Sequence, residues 1–228
     1  MMTMMNSNMV DINKIKLIIF DMDGLFLDSE SVYAIGWQKA LDYYQIKVGD
    51  NFVSSLKGQG ARDNDKAIYD LCGNMSLVKK IRQYRTDYFL DELRKGNVKL
   101  SFFALEIANY LKQRGFLIAL ASSSFKETVD TLLSTHNLLN FFDFKVTGSD
   151  VKSVKPSPEI YNKTLEVAGC FPSEAMAFED SLYGIIAAEA AGIEVCHIGE
   201  SNEKVKEISF ASYSNLKEAY HSIFEGEK

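Results

Sequence analysis

KLIIFDMDGLFLDS, residues 16–29, contains an apolar run from Leu17 to Phe20 that stops abruptly at Asp21. Asp23 and Gly24 follow almost at once. A short apolar run with a β-branched pair, bounded by an Asp-Gly turn, reads as a strand buried on both faces, the kind found in parallel sheets. Such a strand has no reason to finish in two acids unless its end opens into a site. In open α/β sheets, ligands sit just beyond the carboxyl ends of the strands. The alternative is a polar turn after a core strand, since Asp-Gly turns are common. Gly24 permits the tight reversal in either case.

Outward from this stretch the chain divides in two. From Ser29 to Tyr44 a helix is expected, with Tyr33, Trp37, Ala40, Leu41 and Tyr44 on one face. Gly58 and Gly60 mark a loop in LKGQGARD. Two further helices are expected near Asn64–Leu71 and Ser76–Lys95, the second with Val78, Ile81, Tyr84 and Tyr88 as its stripe. Residues 30–96 hold no convincing strand and exceed an ordinary crossover helix, so they read as an inserted helical domain. From Leu100 onward helix and strand alternate. Strands are expected at Phe116–Ala121, Phe144–Thr147, Ala175–Phe178 and Glu194–Ile198, and helices from Ala104 to near Gly115, after Ser124, and at Pro158–Ala168, Ile185–Ala191 and Leu216–Phe224. That alternation predicts an α/β fold with a doubly wound parallel sheet. The expected domains are a tail at 1–14, a core at 15–28 and 97–228, and the helical insert at 29–96.

The 228 residues are 46% hydrophobic, enough for a large core with an insert. A net charge of −6 without a long basic run argues against a nucleic-acid surface. No apolar run approaches the ~20 residues of a membrane span. Cys72, Cys170 and Cys196 lack metal or redox spacing and read as reduced, buried thiols of a cytoplasmic protein. MMTMMNSNM at the start has no apolar signal core. A monomer is the default.

Four polar clusters share one topological address at strand ends: Asp21 with Asp23, Ser122 with Ser123 and Ser124, Lys155, and Glu179 with Asp180. Parallel strands bring their carboxyl ends to one edge. Several acids gathered there repel unless a cation lies among them, and an incomplete cage of hard oxygens suits Mg²⁺. A hydroxyl and a lysine beside it would hold an anion, a set suited to phosphoryl transfer. Each residue also has a plainer reading: Ser122 as a turn residue, Ser123 and Ser124 as helix caps, Lys155 as a solvated loop residue, and Asp180 as the cap of the following helix. Those readings would need four coincidences at four strand ends. Asp150 reads equally as a second-sphere acid or a loop residue. His136, His197 and His221 do not cluster and are assigned no chemistry.

The motifs DMDG, LASSS, SVKPSPE and AFEDS, in this order and spacing, resemble those of the haloacid dehalogenase superfamily over about residues 15–200. The branch resembled most contains β-phosphoglucomutase and small sugar or nucleotide monophosphatases. The resemblance implies a Rossmann-like core with a helical cap. It implies Asp21 as nucleophile, Asp23 as general acid and base, and Ser122, Ser123 and Lys155 as phosphate-binding. Asp21, Asp23, Asp180 and Glu179 would hold Mg²⁺. Asp23 argues against halide chemistry, because hydrolytic dehalogenases differ at that position. Glu30, Tyr33, Lys57 and Arg62 are the candidate cap readers of the substrate, ahead of Lys79, Lys80 and Arg82. Mutases of this branch carry a histidine near the position of Tyr33, and its absence favours a phosphatase. Leu100-Ser101-Phe102 also departs from the Pro-Gly common in relatives. The expected function is therefore Mg²⁺-dependent hydrolysis of a small phosphorylated metabolite. A phosphosugar mutase and a phospho-signalling receiver that binds without turnover are the alternatives.

Overall fold

A computed structural model describes residues 11–57 and 61–225, with side chains at all of these but 61 and 62. Residues 1–10 of the tail expected at 1–14, Gly58, Gly60 and the Arg62 side chain lie outside the described residues.

Six strands form one parallel sheet in the order β3-β2-β1-β4-β5-β6. They are β1 (Leu17–Phe20), β2 (Leu117–Ala121), β3 (Phe144–Val146), β4 (Ala175–Glu179), β5 (Glu194–Ile198) and β6 (Ala211–Tyr213). β1 lies at the centre, with Leu17 to Phe20 in register with Leu117 to Leu120 on one side and Ala175 to Phe178 on the other. All four of its residues are fully buried, as a strand covered on both faces requires. Ile18 and Phe20 point into one core with α5 (Ala104–Gln113), α6 (Lys126–Thr135) and α10 (Leu216–Tyr220). Leu17 and Ile19 point into the opposite core with α7 (Glu159–Ala168), α8 (Leu182–Ala190) and α9 (Glu203–Ile208). This two-residue alternation makes the sheet doubly wound. The strand order reverses between β1 and β4, which places the crevice of the sheet there.

Between β1 and α5 come α1 (Ser29–Tyr43), α2 (Phe52–Ser55), α3 (Ala61–Cys72) and α4 (Met75–Arg94). Trp37, Ala40, Leu41, Leu56, Ile68, Val78 and Ile81 form a separate core among them. Val32, Phe89 and Leu93, at the base of α1 and α4, belong instead to the core of the sheet. The chain enters and leaves this helical unit through one antiparallel ladder. Leu27 bridges Leu100, Asp28 N–H donates to the Lys99 carbonyl at 2.9 Å, and Ser101 N–H donates to the Phe26 carbonyl at 3.0 Å.

Sequence periodicity placed the long elements to within a few residues. The stripe on α4 needs correction: the buried positions are Val78, Ile81, Phe89 and Leu93, while Tyr84 and Tyr88 are only partly covered. Of the cysteines only Cys196 is buried, and Cys72 and Cys170 are half-buried free thiols. The closing helix spans Leu216–Tyr220 and ends in a wider π-type turn, His221–Glu225. No helix among the described residues is long and apolar enough to cross a membrane.

Candidate active site

The β1–β4 ladder runs one residue past β1, with Asp21 N–H donating to the Phe178 carbonyl at 3.1 Å. The chain then reverses. Gly24 N–H donates to the Leu27 carbonyl at 2.9 Å and accompanies that bond with one to Ser29 Oγ at 3.1 Å. Gly24 has φ +88°, and a Cβ there would lie 2.0 Å from Asp180 Oδ2. The glycine is required both by the turn and by the carboxylate packed against it. Asp21, 7% exposed, is thus fixed at the centre of the sheet edge, and Asp23 stands one turn further out.

β4 delivers the second pair of acids. Glu179 is fully buried. Its Oε1 accepts from Tyr161 Oη at 2.5 Å and from Lys155 Nζ at 2.5 Å, and its Oε2 accepts from Ser181 Oγ at 3.3 Å. Gly184, in the first turn of α8, lies so close that a Cβ would sit 2.0 Å from the Glu179 carboxyl carbon. The cap of α8 is Ser181, whose hydroxyl accepts from Gly184 N–H at 3.0 Å. Asp180 is therefore released from the capping role and faces the crevice.

Lys155 follows β3 and precedes Pro156 through a cis peptide bond. Its side chain is 5% exposed. All three ammonium donors are engaged, by Asp21 Oδ1, by Glu179 and by the Ala121 carbonyl at 2.9 Å. Ser122, fully buried beyond β2, donates from Oγ to Asp23 Oδ2 at 3.2 Å and accepts from Ser124 N–H at 3.0 Å. Ser124 Oγ donates to the same Asp23 oxygen at 2.8 Å. Ser123 is exposed, and its carbonyl packs on Gly148. Neither Ser123 nor Ser124 caps α6: Phe125 holds the cap position without a side-chain bond, and Ser149 Oγ accepts from Lys126 N–H at 3.0 Å.

One oxygen from each of Asp21, Glu179 and Asp180 lies within 4.8 Å of the others. Burial, together with the charges of Glu179 and Asp23, pushes the Asp21 carboxyl up to about 8 against the pull of Lys155. Asp180 is raised well above the carboxylate range by burial first, then by Asp21 and Glu179. Burial opposes the charge on Lys155, yet Asp21 and Glu179 outweigh it and raise its pKa. Asp180 Oδ1 is buried with no hydrogen-bond partner among the described residues. Mutually repelling carboxylates with an orphaned oxygen are a fit for a hard divalent cation such as Mg²⁺, whose charge would draw their pKa values down.

Beyond Asp23 a cavity of about 210 Å³ opens between the sheet edge and the helical unit. Asp23 and Ser124 form its floor; Glu30, Tyr33, Trp37, Leu56, Lys57, Asn64 and Arg85 line the rest. Of the residues expected to read the substrate, Glu30, Tyr33 and Lys57 are here. Arg85 and Asn64 were not anticipated. Asp150 is exposed and takes the loop role: its Oδ2 accepts from Thr147 N–H at 2.8 Å and Thr147 Oγ1 at 2.7 Å.

An all-parallel sheet in this order, with an aspartate pair after its central strand and further acids beside it, defines a Rossmann-like α/β protein with an acid-lined site at its switch point. The chain belongs to the haloacid dehalogenase-like hydrolase family, whose pattern matches residues 18–198, and to its β-phosphoglucomutase-like branch. The relatives include the "Phosphorylated carbohydrates phosphatase" of Thermotoga maritima, 29% identical over 78% of this chain and 82% of that protein. A Drosophila melanogaster protein named "Probable pseudouridine-5'-phosphatase" is 30% identical over 88% of this chain and 89% of its own. Among solved structures, β-phosphoglucomutase from Clostridium difficile superposes with a TM-score of 0.72 at 21% identity, covering 91% of this chain and 96% of that one. That last likeness speaks to the fold.

Proposed function

We propose that this protein is a Mg²⁺-dependent phosphomonoesterase that hydrolyses a small phosphorylated metabolite through an aspartyl phosphate on Asp21. The observation that carries the reading is the pairing of two differently held aspartates. Asp21 is buried and clamped by Lys155, while Asp23 lies at the floor of the cavity with Oδ2 held by two hydroxyls and Oδ1 without a partner among the described residues. One carboxylate is placed to attack, the other to move a proton.

Asp21 forms a bond to phosphorus as the bond to the leaving oxygen breaks, and Asp23 gives that oxygen its proton. In the second half Asp23 takes a proton from water. The water oxygen bonds to phosphorus, the bond to Asp21 breaks, and inorganic phosphate departs. To hold the phosphoryl oxygens, Lys155 turns toward them the N–H it gives Asp21, and Ser122 the hydroxyl it gives Asp23, while Glu179, itself held by Tyr161, and the Ala121 carbonyl keep the Lys155 ammonium in place. The cation would be held by the carboxylates of Asp21 and Asp180 and the carbonyl of Asp23, beside Glu179, and would neutralise charge on the transferring group. Residues 29–96 act as a cap that excludes water and reads the leaving group.

The names of the Thermotoga and Drosophila relatives support hydrolysis. So does Tyr33, which occupies the place where a mutase would carry a histidine. Burial, then the charge of Asp23, raises its hydroxyl far above the range in which it could relay protons near neutrality. The test is phosphate release from a panel of metabolite monophosphates, with Mg²⁺ or chelator, in the native protein and in Asp21→Asn. Metal-dependent release that disappears in the variant is expected. A folded protein that binds Mg²⁺ yet releases no phosphate from any member would overturn the reading.

A further inference from the structure

The cavity above Asp23 holds two polar groups that the chemistry at phosphorus does not use. Asn64 is 7% exposed, and its side-chain Oδ1 is buried with no hydrogen-bond partner among the described residues. Arg85 Nε is likewise buried without one. Both residues line the same cavity, and orphaned buried polar atoms are costly, so the pair points to a ligand that completes them as the side chains turn to meet it. One is an acceptor and one a donor, the pair that a hydroxyl satisfies from either end.

The walls narrow the choice of ligand. The Arg85 guanidinium lies 4.4 Å from the ring centroid of Tyr33 and 4.7 Å from that of Trp37. Phe89 stacks on Tyr33 at 4.2 Å. Trp37 is only 4% exposed. The aromatic surface is therefore already covered and leaves no platform on which a nucleobase could stack. Among the described residues, the charged groups in the lining are Asp23 and Glu30 against Lys57 and Arg85, which balance. A balanced lining favours a neutral leaving group over one that brings a second phosphate or a carboxylate. At ~30 Å³ per water, the cavity of about 210 Å³ has the room of roughly seven waters, the scale of a short polyol or a single sugar ring.

We infer that Arg85 and Asn64 are the specificity-determining residues of this site, and that the leaving group they read is a neutral polyol or monosaccharide, not a nucleoside. The inference rests on the phosphatase reading and sharpens it. The experiment compares kcat/KM for polyol, pentose and hexose monophosphates, nucleoside 5′-monophosphates, a hexose bisphosphate and p-nitrophenyl phosphate. The native protein is measured beside Arg85→Met, Arg85→Lys and Asn64→Leu. A neutral polyol or sugar monophosphate is expected to exceed the nucleoside phosphates by about 100-fold or more. In each variant the ratio of kcat/KM for that substrate to kcat/KM for p-nitrophenyl phosphate is expected to fall about 10- to 100-fold. Arg85→Lys keeps the charge under the rings and loses the Nε donor, so it separates a reading role from a packing role. A preference for nucleoside phosphates or the bisphosphate, or a ratio that stays constant in the variants, overturns the inference and leaves the hydrolase standing. Release from no substrate, p-nitrophenyl phosphate included, overturns the hydrolase itself.

Discussion

Gly184→Ala sets two principles against each other. Gly184 lies inside α8, where alanine ordinarily stabilises a helix by about 1 kcal/mol. Here a Cβ would sit 2.0–2.1 Å from the carboxyl atoms of Glu179. A carboxylate at the surface would swing aside at little cost. Glu179 is fully buried and has no solvent to turn toward, so it moves only by leaving Lys155, Tyr161 and Ser181. Breaking a buried ion pair costs about 3–5 kcal/mol. The net expectation is a loss of about 2–4 kcal/mol. At roughly 2–4 °C per kcal/mol for a chain of this size, the melting temperature should fall by about 4–16 °C. Thermal unfolding followed by far-UV circular dichroism, with saturating Mg²⁺ in both samples, measures it. A melting temperature equal to or above that of the native protein would refute the claim that Glu179 is locked in place.

On the proposed reading, chelator should destabilise the protein and Mg²⁺ should raise its melting temperature in a saturable way, because the cation would bind a cluster that exists only in the fold; a melting curve indifferent to Mg²⁺ would count against the acid cluster as its site. In chelator, stability should decline as pH rises from about 5 to 8. Asp21, raised to about 8 in the fold against an ordinary 3.8, and Asp180, also raised, keep protons there that the unfolded chain gives up. His197, lowered by burial, works in the opposite direction. The comparison is therefore with Asp21→Asn, whose curve should be shallower, and equal slopes would defeat the assignment. Gly24→Ala should weaken Mg²⁺ binding by isothermal titration, since its Cβ displaces Asp180 Oδ2. Asn74→Ala should cost about 1 kcal/mol in urea unfolding, through loss of the cap that accepts from Ser76 and Leu77 N–H at 3.0 and 3.2 Å.

What could be read from sequence followed the strength of local pattern. β1, β2, β4 and β5 are apolar runs between turn residues, and their ends carried Asp21, Ser122 and Glu179-Asp180 to the same edge by topology alone. β6, three half-exposed residues in SFASYS, and the short α2 and α9 have too little periodicity to register. Arg85 was passed over for a physical reason. The inward face of α4 runs Val78, Ile81 and Phe89 with the half-buried Arg85 between them, at spacings of three and four, and an arginine in that place diverts a hydrophobic stripe toward Tyr84 and Tyr88. An arginine at a core-facing position was itself the signal. Tyr161 carried none, because the partner that defines it, Glu179, is 18 residues away; Ser124 stood in the serine cluster, but its bond to Asp23, 101 residues away, had no local sign.

The ladder joining Leu27 to Leu100 has a consequence for modularity. It pins the two ends of residues 29–96 side by side on the sheet, and Val32, Phe89 and Leu93 give the unit an apolar footing there, so the sheet registers the ends and the bases of α1 and α4. The loop-closure term grows as the logarithm of the intervening length, and doubling that length would add only about 0.6 kcal/mol. Beyond that footing the insert is open to lengthening or exchange, while Asp21 and its neighbours stay in register. If Asp21 is the reacting centre and the insert reads the leaving group, as proposed, the two occupy one continuous chain yet can vary as largely separate parts.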